Sequence, residues 1–247
     1  MNHKSYSVEV LVNGKPVQEF VHTDKIYVEG KKGTKYSLRI KNSSWQKILA
    51  VITVDGLNVL TGKTGDWNDR GYIIGAFSSV VIDGWRTSDE TVREFFFSAA
   101  DKSYASKRKD VNTGVTGVIG VAIFEEKAPV QINYVRNTFH DPLFWNSGSV
   151  TMFNASNTSN TAMSYNAKSL DVSQKYTAPE RGSLGTGFGD EKESKVYKVT
   201  FERASTMPET IFEMHYRTSE ELKKIGVIRR QPQYVSFPEN DEYCSVV

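Results

Sequence analysis

From Tyr6 to Glu126 the apolar positions recur with a period near two, and turn residues interrupt them about every eight to twelve positions. Tyr6, Val8, Val10 and Val12 alternate with Ser7, Glu9 and Leu11, and Asn13-Gly14 follows. Side chains along a strand point to opposite faces in turn, so this pattern predicts a strand with one buried face. Asn-Gly suits a type I′ turn, whose two central residues both need positive φ, and so a hairpin is predicted here. Further strand-like runs lie at Lys25–Val28, Lys35–Lys41, Lys47–Val54, Gly71–Ile74, Ser79–Ile82, Val92–Ser98 and Val115–Glu125. β-Branched and aromatic residues dominate them, and such side chains fit a pleated, half-buried surface. No helical pattern of ten to fifteen residues separates these runs, as a parallel sheet with crossovers would need. The expected fold is all-β and mainly antiparallel, a β-sandwich or jelly-roll-like core over residues 1–127.

The pattern changes after Phe144. Residues 146–189 are rich in Ser, Thr, Asn and Gly and poor in aliphatic side chains, so 128–192 reads as an aromatic and then polar excursion. Alternation returns in Val196–Phe201 and Glu209–Tyr216, which together predict an antiparallel pair. One short C-terminal helix follows. Thr218 is its expected N-cap, Glu221 the capping-box partner, Leu222 and Ile225 the apolar stripe, and Gly226 the C′ residue. Residues 193–230 are therefore expected to pack on the core as a hairpin plus helix, and 231–247, with Pro232 and Pro238, to form an irregular tail.

Composition narrows the function classes. Lys plus Arg number 31 against 29 Asp plus Glu, a formal charge of +2, which provides no strong field for nucleic acid. Cys244 is the single cysteine, so no internal disulfide is available and a small stapled secreted fold is not expected. Residues 1–6 run straight into strand-like sequence without an apolar segment, and no window has the roughly 18–20 apolar residues of a membrane span. A soluble protein of a reducing compartment is expected, and the sequons at Asn42, Asn154 and Asn157 read as chance matches.

Catalytic chemistry finds no pattern. His3, His22, His140 and His215 have no companion ligands at metal spacing. His140-Asp141 precedes Pro142 among aromatic residues and reads as a turn. His215 reads as a packed or edge histidine within a strand. The cluster Gly182-Ser183-Leu184-Gly185-Thr186-Gly187-Phe188-Gly189 lacks the Gly-Lys-Ser/Thr of a phosphate loop and continues into Asp190-Glu191, so it reads as a flexible loop. Asp55, Asp66, Asp69, Asp83 and Asp89 mostly adjoin Gly or Ser and read as turn formers. No catalytic residue, cofactor or metal is expected.

Val54-Asp55-Gly56-Leu57-Asn58-Val59-Leu60, Gly71-Tyr72-Ile73-Ile74 and Ile82-Asp83-Gly84-Trp85-Arg86 together resemble a pattern in uncharacterised proteins of phages, large viruses and bacteria. The resemblance continues through Phe95-Phe96-Phe97-Ser98, Gly117–Phe124, Gly185–Gly189 and the helix near Ser219–Gly226. It departs at Gly75-Ala76-Phe77, where the pattern has a proline-containing turn. The resemblance implies a virion-associated structural or capsid decoration protein, assembled in a host cytoplasm, or cytoplasmic if cellular. Such a protein acts through contacts with other structural proteins or copies of itself, with no specific nucleic acid and no membrane. The interaction candidates are Tyr234, Val235 and Phe237 of the tail, with Trp67, Trp85 and Arg86. A carbohydrate-binding sandwich is the alternative, with exposed members of the set Trp45, Trp67, Trp85, Trp145 and Tyr72 stacking on sugars.

Overall fold

The computed structural model describes residues 1–108, 114–128 and 182–228. The chain divides into two units, Met1–Ala128 with Pro179–Val247, and Pro129–Ala178. Every described residue belongs to the first.

The alternating sequence folds into two sheets, with strands numbered in chain order. One holds β1 (Asn2–His3), β2 (Tyr6–Val12), β3 (Lys15–Pro16), β6 (Lys35–Asn42), β10 (Ser78–Ile82), β11 (Gly84–Arg86), β12 (Thr91–Ala99), β14 (Leu184–Thr186) and β15 (Glu191–Glu193). The other holds β4 (Glu19–His22), β5 (Lys25–Glu29), β7 (Ile48–Val54), β8 (Leu57–Asn58), β9 (Tyr72–Ile74), β13 (Val118–Glu125) and β16 (Thr210–Arg217). Their paths run β1-β2-β6-β12-β11 and β4-β5-β16-β13-β7-β8. Among the described ladders, β5–β16 alone is parallel. The expected all-β, mainly antiparallel sandwich is the fold observed.

Asn13 and Gly14 both have positive φ (52° and 74°) and close the predicted hairpin, with Val12 opposite Lys15. The inward faces of the two sheets meet in one core. Val8, Val10, Leu38, Ile40, Phe95 and Phe97 come from the first sheet, and Val28, Ile52, Val54, Ile119, Val121, Phe212 and Met214 from the second. Full burial of one such side chain stabilises by about 1.5–3 kcal/mol. β7 is buried on both faces. Its outward Leu49 and Val51 join Ala122 and Phe124 in a second cluster, against which Phe201 packs. The Arg203 guanidinium lies 4.0 Å from the Phe124 ring centre. This double burial explains why Ile48–Val54 reads as a nearly continuous apolar run rather than an alternating one.

The predicted helix is α2 (Ser219–Lys224), because Thr218 and Glu221 form a reciprocal capping box and Gly226 takes φ 79° beyond the end. A shorter helix, α1 (Tyr104–Lys107), was not legible; Ser103 caps it by accepting from the Ser106 N–H at 3.2 Å.

Three expectations need correction. The glycine cluster is no flexible loop: Leu184–Thr186 is β14, paired with Phe97–Ala99 of β12. The expected excursion over 128–192 therefore rejoins the sheet before its C-terminal limit. Nor do Val196–Phe201 and Glu209–Tyr216 pair. Only the second run forms a strand, β16, seated between β13 and β5, so 193–230 is not a hairpin. Val196 instead donates to the Asp89 carbonyl, and Tyr197 and Val199 are exposed. Alternation indicates extended chain but cannot name its neighbour.

Candidate functional site

Two buried polar side chains organise the ends of the sandwich. The first is Asp55. β7 passes to β8 through Asp55-Gly56, both at positive φ (50° and 75°), and this turn directs the Asp55 carboxylate inward, where it is fully buried. Its Oδ1 accepts from the Gly117 N–H at 2.7 Å and the Tyr216 hydroxyl at 2.5 Å, while Oδ2 accepts from the Thr186 N–H at 2.7 Å. Thr186 Oγ1 lies 2.7 Å from the hydroxyls of both Tyr216 and Tyr36. Tyr36 and Thr186 belong to the first sheet, Tyr216 to the second and Asp55 to the turn between two strands of the second, so the chain of groups ties the two together across the core. Burial pushes the Asp55 carboxyl up to about 6, against the downward pull of its donors. Burial also holds the Tyr36 and Tyr216 phenols well above their ordinary value.

The second is Asn42, the last residue of β6 and also fully buried. Its Nδ2 donates to the carbonyls of Gln46 (2.7 Å), Gly75 (2.8 Å) and Ile74 (3.3 Å), and its Oδ1 accepts from the Ser44 N–H (2.9 Å) and hydroxyl (2.7 Å). One side chain thereby fixes two loops, between β6 and β7 and between β9 and β10. A bond from the Phe77 N–H to the Ser44 carbonyl at 3.2 Å joins the loops directly. What they carry is apolar and open to solvent. Trp45 is 87 % exposed and Phe77 57 %, their rings edge-to-face with centroids 4.6 Å apart. Phe77 holds φ 50°, a conformation that costs a bulky residue on the order of 1–3 kcal/mol and tends to occur where function requires it.

Of the expected interaction residues, Trp67, Trp85 and Arg86 are described. Trp85 is in the core at 2 % exposure, its Nε1 donating to the Gly187 carbonyl at 3.1 Å and its ring edge-on to Phe95; it cannot meet a partner. Arg86 is partly buried and turned onto its own chain, bonded to Ser194 and to the Tyr72 hydroxyl, with its guanidinium 5.9 Å from the centre of the Tyr72 ring. Tyr72 is itself buried. Trp67 is 39 % exposed, in a loop whose start is anchored to the Asp55–Gly56 turn by a bond from the Gly65 N–H to the Gly56 carbonyl at 2.8 Å. Trp45 precedes the opposite end of β7. Tyr234, Val235, Phe237 and Trp145 lie outside the described residues, as do His140 and Cys244. His215 is packed as expected, 3 % exposed, its ring 5.4 Å from Tyr27. Asn42 reads as a sequon, yet its amide is occupied internally.

The pairing of Asn42 with Trp45 and Phe77 was not recognised in the sequence. One signal was present, the Asn-x-Ser spacing suited to an Asx turn. Among the described residues no group of three His, Cys, Asp or Glu side chains is placed to hold a metal, and no helix is long and apolar enough to cross a membrane. Compared with family models, curated proteins and solved structures, the chain matches none.

Proposed function

We propose that this protein is a structural component of a protein assembly and that it engages its partner through the Trp45–Phe77 tip. The supporting observation is a pair of large rings held out in water on loops that a buried asparagine makes rigid. Aromatic side chains on a rigid base are the usual anchors of protein interfaces. Covering a large apolar side chain of this kind contributes about 1.5–3 kcal/mol before the costs of association. The strained Phe77 backbone is consistent with a residue retained for contact rather than for folding. The resemblance to phage and large-virus proteins supplies a setting for such an assembly, a virion shell.

The carbohydrate alternative draws less support. Sugar rings stack on open, flat aromatic faces, but Trp85 and Tyr72 are buried and Phe77 stands perpendicular to Trp45. The perpendicular pair forms a wedge suited to an apolar slot on another protein.

Size-exclusion chromatography of lysate from cells that make the protein natively tests the proposal. The wild-type chain is expected to elute in a complex well above its 27.8 kDa mass, and a Trp45→Ala, Phe77→Gly variant with unchanged melting temperature at the monomer position. Identical elution of the two would contradict the proposal.

A further inference from the structure

We propose that the open edge of β10 pairs two copies of this chain, which rests on the reading of the protein as an assembly component and makes its partner a second copy. β10 of one copy lies antiparallel to β10 of the other across a two-fold axis, beside the Trp45–Phe77 tip, and the first sheets of both become one.

β10 (Ser78–Ile82) pairs only with β6, with Ser78 opposite Asn42 and Ile82 opposite Leu38. The bonding around β6 shows which groups of β10 are left over. The Val8 N–H bonds the Met1 carbonyl and the Val10 carbonyl accepts from the Val17 N–H, so Val8 and Val10 face away from β6. Bonding direction alternates along an antiparallel strand. Hence Ser7, Glu9 and Leu11 bond β6 at Lys41, Arg39 and Ser37, and Asn42, Ile40 and Leu38 turn their backbone groups to Ser78, Val80 and Ile82. The N–H and C=O groups of Ser79 and Val81 are directed outward, and no described residue bonds them.

This edge lacks the protection that exposed strands usually carry. Phe77–Ile82 reads Phe-Ser-Ser-Val-Val-Ile, without charge, proline or glycine, and Val81 is 46 % exposed. Natural edges are short, charged or bulged, because an open uncharged strand recruits another. The other described edge strands follow that rule: each has four residues or fewer, and the longest, β4, carries Glu19 and His22.

The edge is also complementary to itself. A two-fold axis at Val80 sets Ser79 opposite Val81 of the second copy, and every free N–H then meets a free carbonyl. Neighbouring registers fail. Ser79 opposite Ser79 would call on Phe77, whose N–H already bonds the Ser44 carbonyl, and Val81 opposite Val81 would call on Asp83, whose carbonyl already accepts from Phe95. In the favoured register the partly buried Val80, which shares the core face with Ile40, meets Val80 of the second copy. No charged side chain of β10 is set against its like, and Phe77 stands at the end of the shared ladder.

Sedimentation of the purified full chain tests the pairing. Between about 1 and 300 µM the mass is expected to rise from one copy to two. Val81→Pro removes an N–H that the chain's own ladder does not use, where edge strands tolerate proline. Its melting temperature at dilution should match wild type, while dimerisation weakens at least about thirtyfold. Amide hydrogen exchange reads the same edge without a substitution: Ser79 and Val81 should exchange freely at the lowest concentration and become protected at the highest. A chain that stays monomeric throughout, or dimers in which Ser79 and Val81 stay unprotected, would overturn the proposal; the tip reading would stand if Trp45→Ala, Phe77→Gly still broke up the native complex. Dimers disrupted by Val81→Pro but not by Trp45→Ala, Phe77→Gly would support the edge pairing and contradict the tip reading instead.

Discussion

Asn42 and Asp55 are both polar, both fully buried and both placed at strand ends, yet their hydrogen bonds serve opposite purposes. Asp55 gathers donors from Gly117 just before β13, from β14 and from β16, and joins the two sheets from within. Asn42 addresses only the loops beside it, and those loops present Trp45 and Phe77 to solvent. Each polar group avoids the penalty of an unmade buried hydrogen bond. One region uses that satisfaction to close the core, the other to hold an apolar surface open. The hydrogen bonds of Asn42 tie down the loops that present Trp45 and Phe77 to solvent.

The largest effect is expected at the closed end. Asp55→Ala leaves two backbone N–H groups and the Tyr216 hydroxyl buried without their acceptor, and should cost about 3–5 kcal/mol in urea unfolding. A loss below about 1 kcal/mol would mean that the inner chain does not join the sheets. Asn42→Ala should cost less, about 2–3 kcal/mol, because the freed loop carbonyls can reach water; increased protease cutting within Ser43–Lys47 should accompany it.

A pH series separates the two. The stability gap between wild type and Asn42→Ala should stay constant within about 0.5 kcal/mol from pH 7.5 to 4.5, since an amide does not titrate. The gap to Asp55→Asn should widen in favour of wild type over the same range, because the carboxyl is raised to about 6 in the folded state. Parallel curves would erase the distinction. The smallest stability effects belong to the tip itself. Trp45→Ala and Phe77→Gly should each lie within about 1 kcal/mol of wild type in thermal unfolding, the glycine relieving positive φ while losing the ring contact. Partner binding, by contrast, should fall at least about thirtyfold for Trp45→Ala, as for an interface anchor.

Much of this architecture was legible because period-two patterning follows directly from side chains alternating across a sheet. The runs at 25–28, 35–41, 47–54 and 115–125 each became a strand, and the Asn13-Gly14 turn and α2 cap followed local chemistry that needs no tertiary context. β14 was hidden by its glycines, which resemble a loop but serve close approach. A Cβ on Gly187 would lie 2.1 Å from the Phe96 ring, and one on Gly185 2.5 Å from the Ser103 side chain. The Asp55 cluster was hidden for a different reason. Its members are separated by up to 180 residues of sequence, and Asp-Gly on its own reads only as a turn. Trp45 and Trp85 looked alike in the sequence; a strand position between Gly84 and Arg86 buries one, and a loop position after Asn42 exposes the other.

The central claim is that the Trp45–Phe77 tip is a contact surface, and carbene footprinting read by mass spectrometry addresses it most directly. Labelling of both residues would be compared between the isolated chain and the native high-mass complex, with Trp67 and Tyr197 as exposed references. The account predicts that Trp45 and Phe77 label strongly in the isolated chain and lose most of that labelling in the complex, more than either reference. Equal labelling of Trp45 and Phe77 in the two states would contradict it.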